Sequence, residues 1–130
     1  VYQALGIQHE VRPFFSDLPH RMAAAHLVIA RAGAMTVTEL SVIGRPAILV
    51  PYPGAIDKDQ ARNAEVLVAA GGAISVPQTA FTPVSLAEII ERKASRPARL
   101  IEMAAKAKSI GVSDASQRLA GHVLSILAKR

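Results

Sequence analysis

Three short apolar runs, at residues 26–30, 47–50 and 73–76, alternate with stretches that carry helical punctuation, and this rhythm constrains the fold more than any other feature. A run such as Ala47-Ile48-Leu49-Val50 has no polar alternation, as a strand covered on both faces should not. Between the runs lie helix signals. Gly44 and Pro46 close a helix over 34–43, and Gly71-Gly72 closes another that runs from about residue 58 to 70, with Asp57 at its cap. Strands and helices alternating at this spacing imply parallel β-α-β units with right-handed crossovers. The predicted class is α/β: half of a doubly wound parallel sheet, with additional helices at the carboxyl end. Ligands are expected at the carboxyl ends of its strands, where the loops at 15–17, 31–35 and 51–60 meet.

The rest of the chain can be read in the same terms. Residues 1–6 read as the tail of a helix whose beginning is missing. Residues 9–15 read as a strand, with Val11, Phe14 and Phe15 apolar and Pro13 forcing its end. Asp17 caps a helix that opens with Leu18-Pro19, and His26 opens the next strand. Thr82-Pro83 opens a helix with Leu86, Ile89 and Ile90 on its inner face. Arg96-Pro97 separates it from a helix over 98–109. Gly111-Val112-Ser113 then breaks the chain, and Asp114 caps a terminal helix with Leu119, Val123, Leu124 and Leu127 inward.

At 130 residues and 51% hydrophobic, the chain has one domain's worth of core. Aromatics are 4% and Trp is absent, so that core is built from Ala, Val, Ile and Leu. The same scarcity leaves no stacked-aromatic platform for single-stranded nucleic acid, and no nucleic-acid partner is expected. Without cysteine there are no disulfides, zinc–thiolate sites or cysteine nucleophiles. The net charge of +5 gathers after Glu91, in Arg92, Lys93, Arg96, Arg99, Lys106, Lys108, Arg118, Lys129 and Arg130. Such residues suit the solvated faces of surface helices, and also an anionic surface such as lipid. His26, Arg31, Glu39 and Arg45 interrupt the richest apolar region, so no run reaches membrane-spanning length. The chain starts at Val1 with neither initiator Met nor signal peptide, and is expected to be a piece of a longer protein.

The most distinctive stretch is Ala30-Arg31-Ala32-Gly33-Ala34-Met35-Thr36-Val37-Thr38-Glu39-Leu40, which reads as strand end, glycine turn and helix start. The backbone N–H groups of a first helical turn carry partial positive charge and suit a phosphate. Thr36 in that turn and Glu39 three residues on project from one side; a carboxylate there can accept hydrogen bonds from both ribose hydroxyls. Taken alone, the stretch is also an ordinary strand-to-helix turn whose Thr36 and Glu39 complement the helix N-terminus. A second constellation follows the third loop. Gln60 and Asn63 share a helix face, and amides offer the donor and acceptor that a sugar hydroxyl needs; the same residues also suit an exposed first turn. Asp57-Lys58-Asp59 spells a D-x-D, but a helix would point the two carboxylates apart, and no metal is expected. His9, His20, His26 and His122 have no metal-ligand spacing, and no nucleophile–base pair is present.

In chain order the residues Phe14-Phe15-x-Asp17, Arg31-Ala32-Gly33-Ala34-Met35-Thr36-x-x-Glu39, Gly44-Arg45-Pro46, Pro51-Tyr52-Pro53 and Asp59-Gln60-x-x-Asn63 resemble the bacterial peptidoglycan glycosyltransferases that add N-acetylglucosamine to lipid I. The resemblance covers nearly the whole chain. It implies a two-domain inverting enzyme of the GT-B fold that needs neither metal nor cofactor, this chain being most of its carboxyl-terminal, Rossmann-like, donor-binding half. On that pattern Phe15 offers backbone groups to uracil, and Gly33, Ala34, Met35 and Thr36 line the diphosphate and sugar of UDP-N-acetylglucosamine. Glu39 holds the ribose hydroxyls, while Gln60 and Asn63 contact the N-acetylglucosamine. The family usually has His or Gln at the position of Asp59, and many members have Ser at Ala32 and His at Gly54. Its glycine-serine phosphate loop, acceptor site and catalytic base would precede Val1, so the isolated chain is expected to be inactive. A lipid-linked acceptor and an anionic membrane surface, at the cytoplasmic face of the bacterial inner membrane, are the further partners implied. Two other readings compete: the separate donor subunit of a split transferase, and a non-catalytic dinucleotide module. Against the latter, no G-x-G-x-x-G occurs.

Overall fold

A computed structural model describes residues 1–55, 58–94 and 96–128. Three parallel strands, β1 (Val28–Ala30), β2 (Ala47–Leu49) and β3 (Ala73–Ser75), lie side by side in that order. Ile29 stands opposite Ile48, and Ile48 opposite Ile74. The ladder runs slightly past the strand ends, since Val50 donates to Ala30 O at 2.9 Å and Val76 to Leu49 O at 2.9 Å. Every residue of β2 is buried, which is why its run is apolar without alternation.

α2 (Ala34–Ile43) connects β1 to β2, and α3 (Asp59–Ala70) connects β2 to β3. Both pack on the face that carries Ala47, Leu49 and Ala73, and bring Val37, Leu40, Ala64 and Leu67 to the larger core. α1 (Leu18–Ala24) adds Met22 to that core and α5 (Pro97–Ser109) adds Ala107. On the opposite face, Ile48 and Val76 meet Ile89 of α4 (Pro83–Ala94). Small residues allow α5 to approach closely: a Cβ on Gly72 would stand 2.7 Å from the Ala107 Cα. Gly44 and Gly71, at φ of 78° and 82°, end α2 and α3 in the left-handed conformation that favours glycine. Thr82 and Ser85 bond each other's backbone N–H at 3.1 and 3.0 Å, closing the start of α4.

Several sequence-based expectations are corrected. Residues 9–15 form no strand and are exposed except for half-buried Phe15; a strand needs a ladder partner, and among the described strands β1 pairs only with β2. Residues 1–6 hold a single 3₁₀ turn, Gln3–Leu5, rather than the end of an α-helix. His26 lies ahead of β1 rather than within it. Asp17 and Asp114 occupy the cap positions of α1 and α6 (Ala115–Leu127), but their carboxylates pair with Arg21 at 2.8 Å and Arg118 at 2.9 Å instead of bonding the helix amides. Arg21 holds the Asp17 carboxyl below its ordinary range. Ile90 is exposed rather than inward.

The largest departure is α6, whose Leu119, Val123, Leu124 and Leu127 are all exposed, Leu119 at 66%. The amphipathic pattern is present, but no described element packs broadly on this helix, so its apolar stripe meets solvent. Asp57, and the basic residues Lys129 and Arg130, lie outside the described residues. No helix among the described residues is long and apolar enough to cross a membrane.

Candidate functional site

The site is built where β1 and β2 end. Gly33 occupies the cap position of α2 with extended backbone, and having no side chain it makes no capping bond. The first N–H groups of α2 therefore have no side-chain cap among the described residues, as an anion site requires. A Cβ on Gly33 would stand 4.0 Å from Thr36 Oγ1, so Thr36 borders the space that glycine leaves open. Ala34 and Met35 are exposed, Met35 at 74%.

The hydroxyls and carboxylate of α2 divide into two groups. Thr38 Oγ1 donates to Ala34 O at 2.9 Å and Ser41 Oγ to Thr38 O at 2.8 Å, so both hydroxyls are taken up by their own helix. Thr36 and Glu39 are half-buried, and neither side chain makes a hydrogen bond or ion pair among the described residues. At about 100° per residue, both lie on the side of the helix away from Ala34, separated from each other by roughly 60°. Ala34, Thr38 and Ser41 face α3 instead, lining with Asn63 and Val66 a cavity of about 370 Å³.

The two amides are fixed by backbone. Gln60 Oε1 accepts the Tyr52 N–H at 2.9 Å, and Asn63 Nδ2 donates to Ala32 O at 3.2 Å. Those partners settle which amide atom is which, because a backbone N–H needs an oxygen and a carbonyl needs an N–H. The NH₂ of Gln60 and the side-chain oxygen of Asn63 keep no partner among the described residues, so each amide has a polar end to offer, one donating and one accepting. Asp59 Oδ1 accepts the Gln60 N–H at 2.8 Å, so this carboxylate serves the start of α3. With Asp57 outside the described residues, the D-x-D pairing has no geometry; no group of acidic or histidine side chains among the described residues is arranged to hold a metal.

Asn63 thus reaches the loop that opens α2, next to Gly33 and Ala34, while Gln60 is held to the loop beyond β2, and Thr36 and Glu39 lie on the other side of α2. Phe15 is placed differently. Its ring lies under the Arg21 guanidinium, 4.4 Å from the ring centroid, and no hydrogen bond joins Phe15 to α2 or α3 among the described residues. Arg21 is itself held by Asp17 and Glu10, and both carboxylates raise its pKa further. α1, which follows Phe15, packs on α2. Two residues of the junction, Arg31 and Tyr52, stand within the quoted motifs but were given no site role there. An arginine directly after a strand and an aromatic between two prolines were the available signals.

The fold is one half of a doubly wound, Rossmann-like α/β domain, with the loops of interest at the carboxyl ends of its strands. Residues 1–119 match the glycosyltransferase family 28 C-terminal domain, and the chain belongs to that family. A protein of Rhodopseudomonas palustris is 55% identical over 97% of this chain, and one of Methylobacterium nodulans is 61% identical over 88% of it. Both are named UDP-N-acetylglucosamine–N-acetylmuramyl-(pentapeptide) pyrophosphoryl-undecaprenol N-acetylglucosamine transferase. The crystal structure of Acinetobacter baumannii MurG superposes with a TM-score of 0.81 at 35% identity, over 95% of this chain. The chain spans about a third of each: 34%, 31% and 34% of their lengths. The resemblance read from the motifs and the Rossmann-like GT-B architecture expected from it are both borne out.

Proposed function

We propose that this chain is the donor-binding half of an inverting glycosyltransferase that moves N-acetylglucosamine from UDP-N-acetylglucosamine to an undecaprenyl-diphosphate-linked N-acetylmuramyl pentapeptide, lipid I, in peptidoglycan synthesis. The names of its relatives support the donor and acceptor. The observation that carries the reading is a set of polar groups that keep no partner among the described residues: the uncapped amides that follow Gly33, the Glu39 carboxylate, the NH₂ of Gln60 and the side-chain oxygen of Asn63.

In this reading the α2 N-terminus, with Gly33, Ala34, Met35 and Thr36, receives the diphosphate. As the sugar–phosphate bond breaks, charge grows on the departing UDP, and fixed N–H dipoles already aimed there lower the barrier. Glu39 accepts the ribose hydroxyls, Gln60 and Asn63 hold the N-acetylglucosamine, and Phe15 offers backbone groups to uracil. The acceptor hydroxyl attacks the anomeric carbon from the opposite face and gives its proton to a base that this chain does not supply. No metal is required, because helix amides do the neutralising. The acceptor, and a peripheral seat on the anionic cytoplasmic face of the inner membrane, belong to the parent enzyme.

The test is calorimetric titration of the full-length enzyme with UDP, UDP-N-acetylglucosamine and NAD. The two uridine nucleotides should bind and NAD should not; preferential NAD binding would overturn the reading.

A further inference from the structure

Arg31 is the first residue beyond β1, and its side chain crosses to the loop beyond β2. Its Nη1 donates to Val50 O at 3.2 Å and to Pro51 O at 3.4 Å, and its guanidinium stands 5.6 Å from the centroid of the Tyr52 ring. These contacts fix the carbonyls and the side chain on both sides of a single peptide N–H, that of Tyr52. That N–H is the group which holds Gln60 Oε1 at 2.9 Å. The next residue on the Arg31 side, Ala32, supplies the carbonyl that holds Asn63 Nδ2 at 3.2 Å. Both amides are therefore aimed by the two loops that Arg31 ties together. A planar guanidinium that donates from one terminal nitrogen to two carbonyls while standing over an aromatic ring is a role for arginine rather than lysine.

We propose that Arg31 is a positioning residue for the sugar-reading amides: by tying the Arg31–Ala32 turn to Val50, Pro51 and Tyr52, it sets the orientation in which Gln60 presents its NH₂ and Asn63 its oxygen. The proposal rests on the donor-binding reading above and deepens it. It assigns Arg31 to recognition of the sugar, not of the nucleotide, although Arg31 itself touches neither Gln60 nor Asn63.

The test compares wild-type and Arg31→Met full-length enzyme by titration with UDP and with UDP-N-acetylglucosamine. Arg31→Met is expected to raise the Kd for UDP-N-acetylglucosamine at least fivefold and to leave that for UDP within twofold. In a Gln60→Ala background the same substitution should add less than twofold, since the group it positions is gone. Arg31→Lys, which keeps the charge but lacks the planar guanidinium that stands over Tyr52, should fall between wild type and Arg31→Met, and it carries the test alone if Arg31→Met does not fold. Equal weakening of both ligands would overturn the proposal by placing the guanidinium on the diphosphate itself. Unchanged binding of both would overturn it as well. Failure of the donor reading is distinguishable, because the wild-type enzyme would then bind neither uridine ligand.

Discussion

The junction at the carboxyl ends of β1 and β2 and the terminal helix α6 make an instructive pair. Both are rich in residues that want partners. At the junction, the side chains of Arg31 and Gln60 reach backbone of the loop beyond β2 and that of Asn63 reaches the loop beyond β1, and β2, from which the first of these loops leaves, is fully buried. α6 carries an apolar stripe of Leu119, Val123, Leu124 and Leu127, yet none of its residues is buried. Periodicity thus states what a helix could bury, and only neighbours decide whether it does so. The hydrophobic contribution scales with area actually removed from water, which for α6 is small.

The sharpest way to break that contrast is truncation on each side of it. Leu40→Ala, at a fully buried core position, should cost about 2–5 kcal/mol, whereas Leu124→Ala on α6 should stay within about 0.5 kcal/mol. Urea unfolding of both variants checks this, and equal losses would mean that α6 is covered in solution. Glycines give a second contrast of opposite sign. Gly72→Ala forces a Cβ to 2.7 Å from the Ala107 backbone and should destabilise by about 1–3 kcal/mol. Gly121 sits inside α6 with nothing within 4 Å, so Gly121→Ala should stabilise by about 0.5–1 kcal/mol through helix propensity. Thermal unfolding midpoints should therefore move in opposite directions.

The smallest effect concerns pH. Lys106, 2.6 Å from Glu102, holds that carboxyl below its ordinary range, with Arg99 and Lys93 adding to the field. A carboxyl whose pKa is lower in the folded state contributes stability above its unfolded pKa, and that contribution fades as pH falls through the folded one. Glu102→Gln should thus leave a slightly shallower acid-side loss of stability, and high salt should erase the difference because the pair is exposed. A neutral-pH effect insensitive to salt would contradict this.

The middle of the fold was legible because its signals are local. Gly44 and Gly71 adopt the left-handed stops that a glycine after a helix announces, and β2 is apolar throughout because both its faces are covered. Gln60 and Asn63 could be placed on one face by spacing alone. Their tethering could not be read that way, since it depends on Tyr52 and Ala32, which are distant in sequence and contribute only backbone. Residues 9–15 and the inner face of α6 were misjudged for one shared reason. Val11 and Leu119 have the right character, but a strand or an apolar stripe becomes structure only against a neighbour, and sequence pattern does not supply one.

The central claim, that one helix N-terminus separates a nucleoside-reading carboxylate from a sugar-reading amide pair, is tested most directly by two substitutions and two ligands. In the full-length enzyme, calorimetry should show Glu39→Ala weakening UDP and UDP-N-acetylglucosamine alike, by about 1.5–3 kcal/mol, the usual worth of charge-assisted hydrogen bonds. Gln60→Ala should weaken only UDP-N-acetylglucosamine. Unchanged UDP affinity in Glu39→Ala, or loss of UDP binding in Gln60→Ala, would contradict the account.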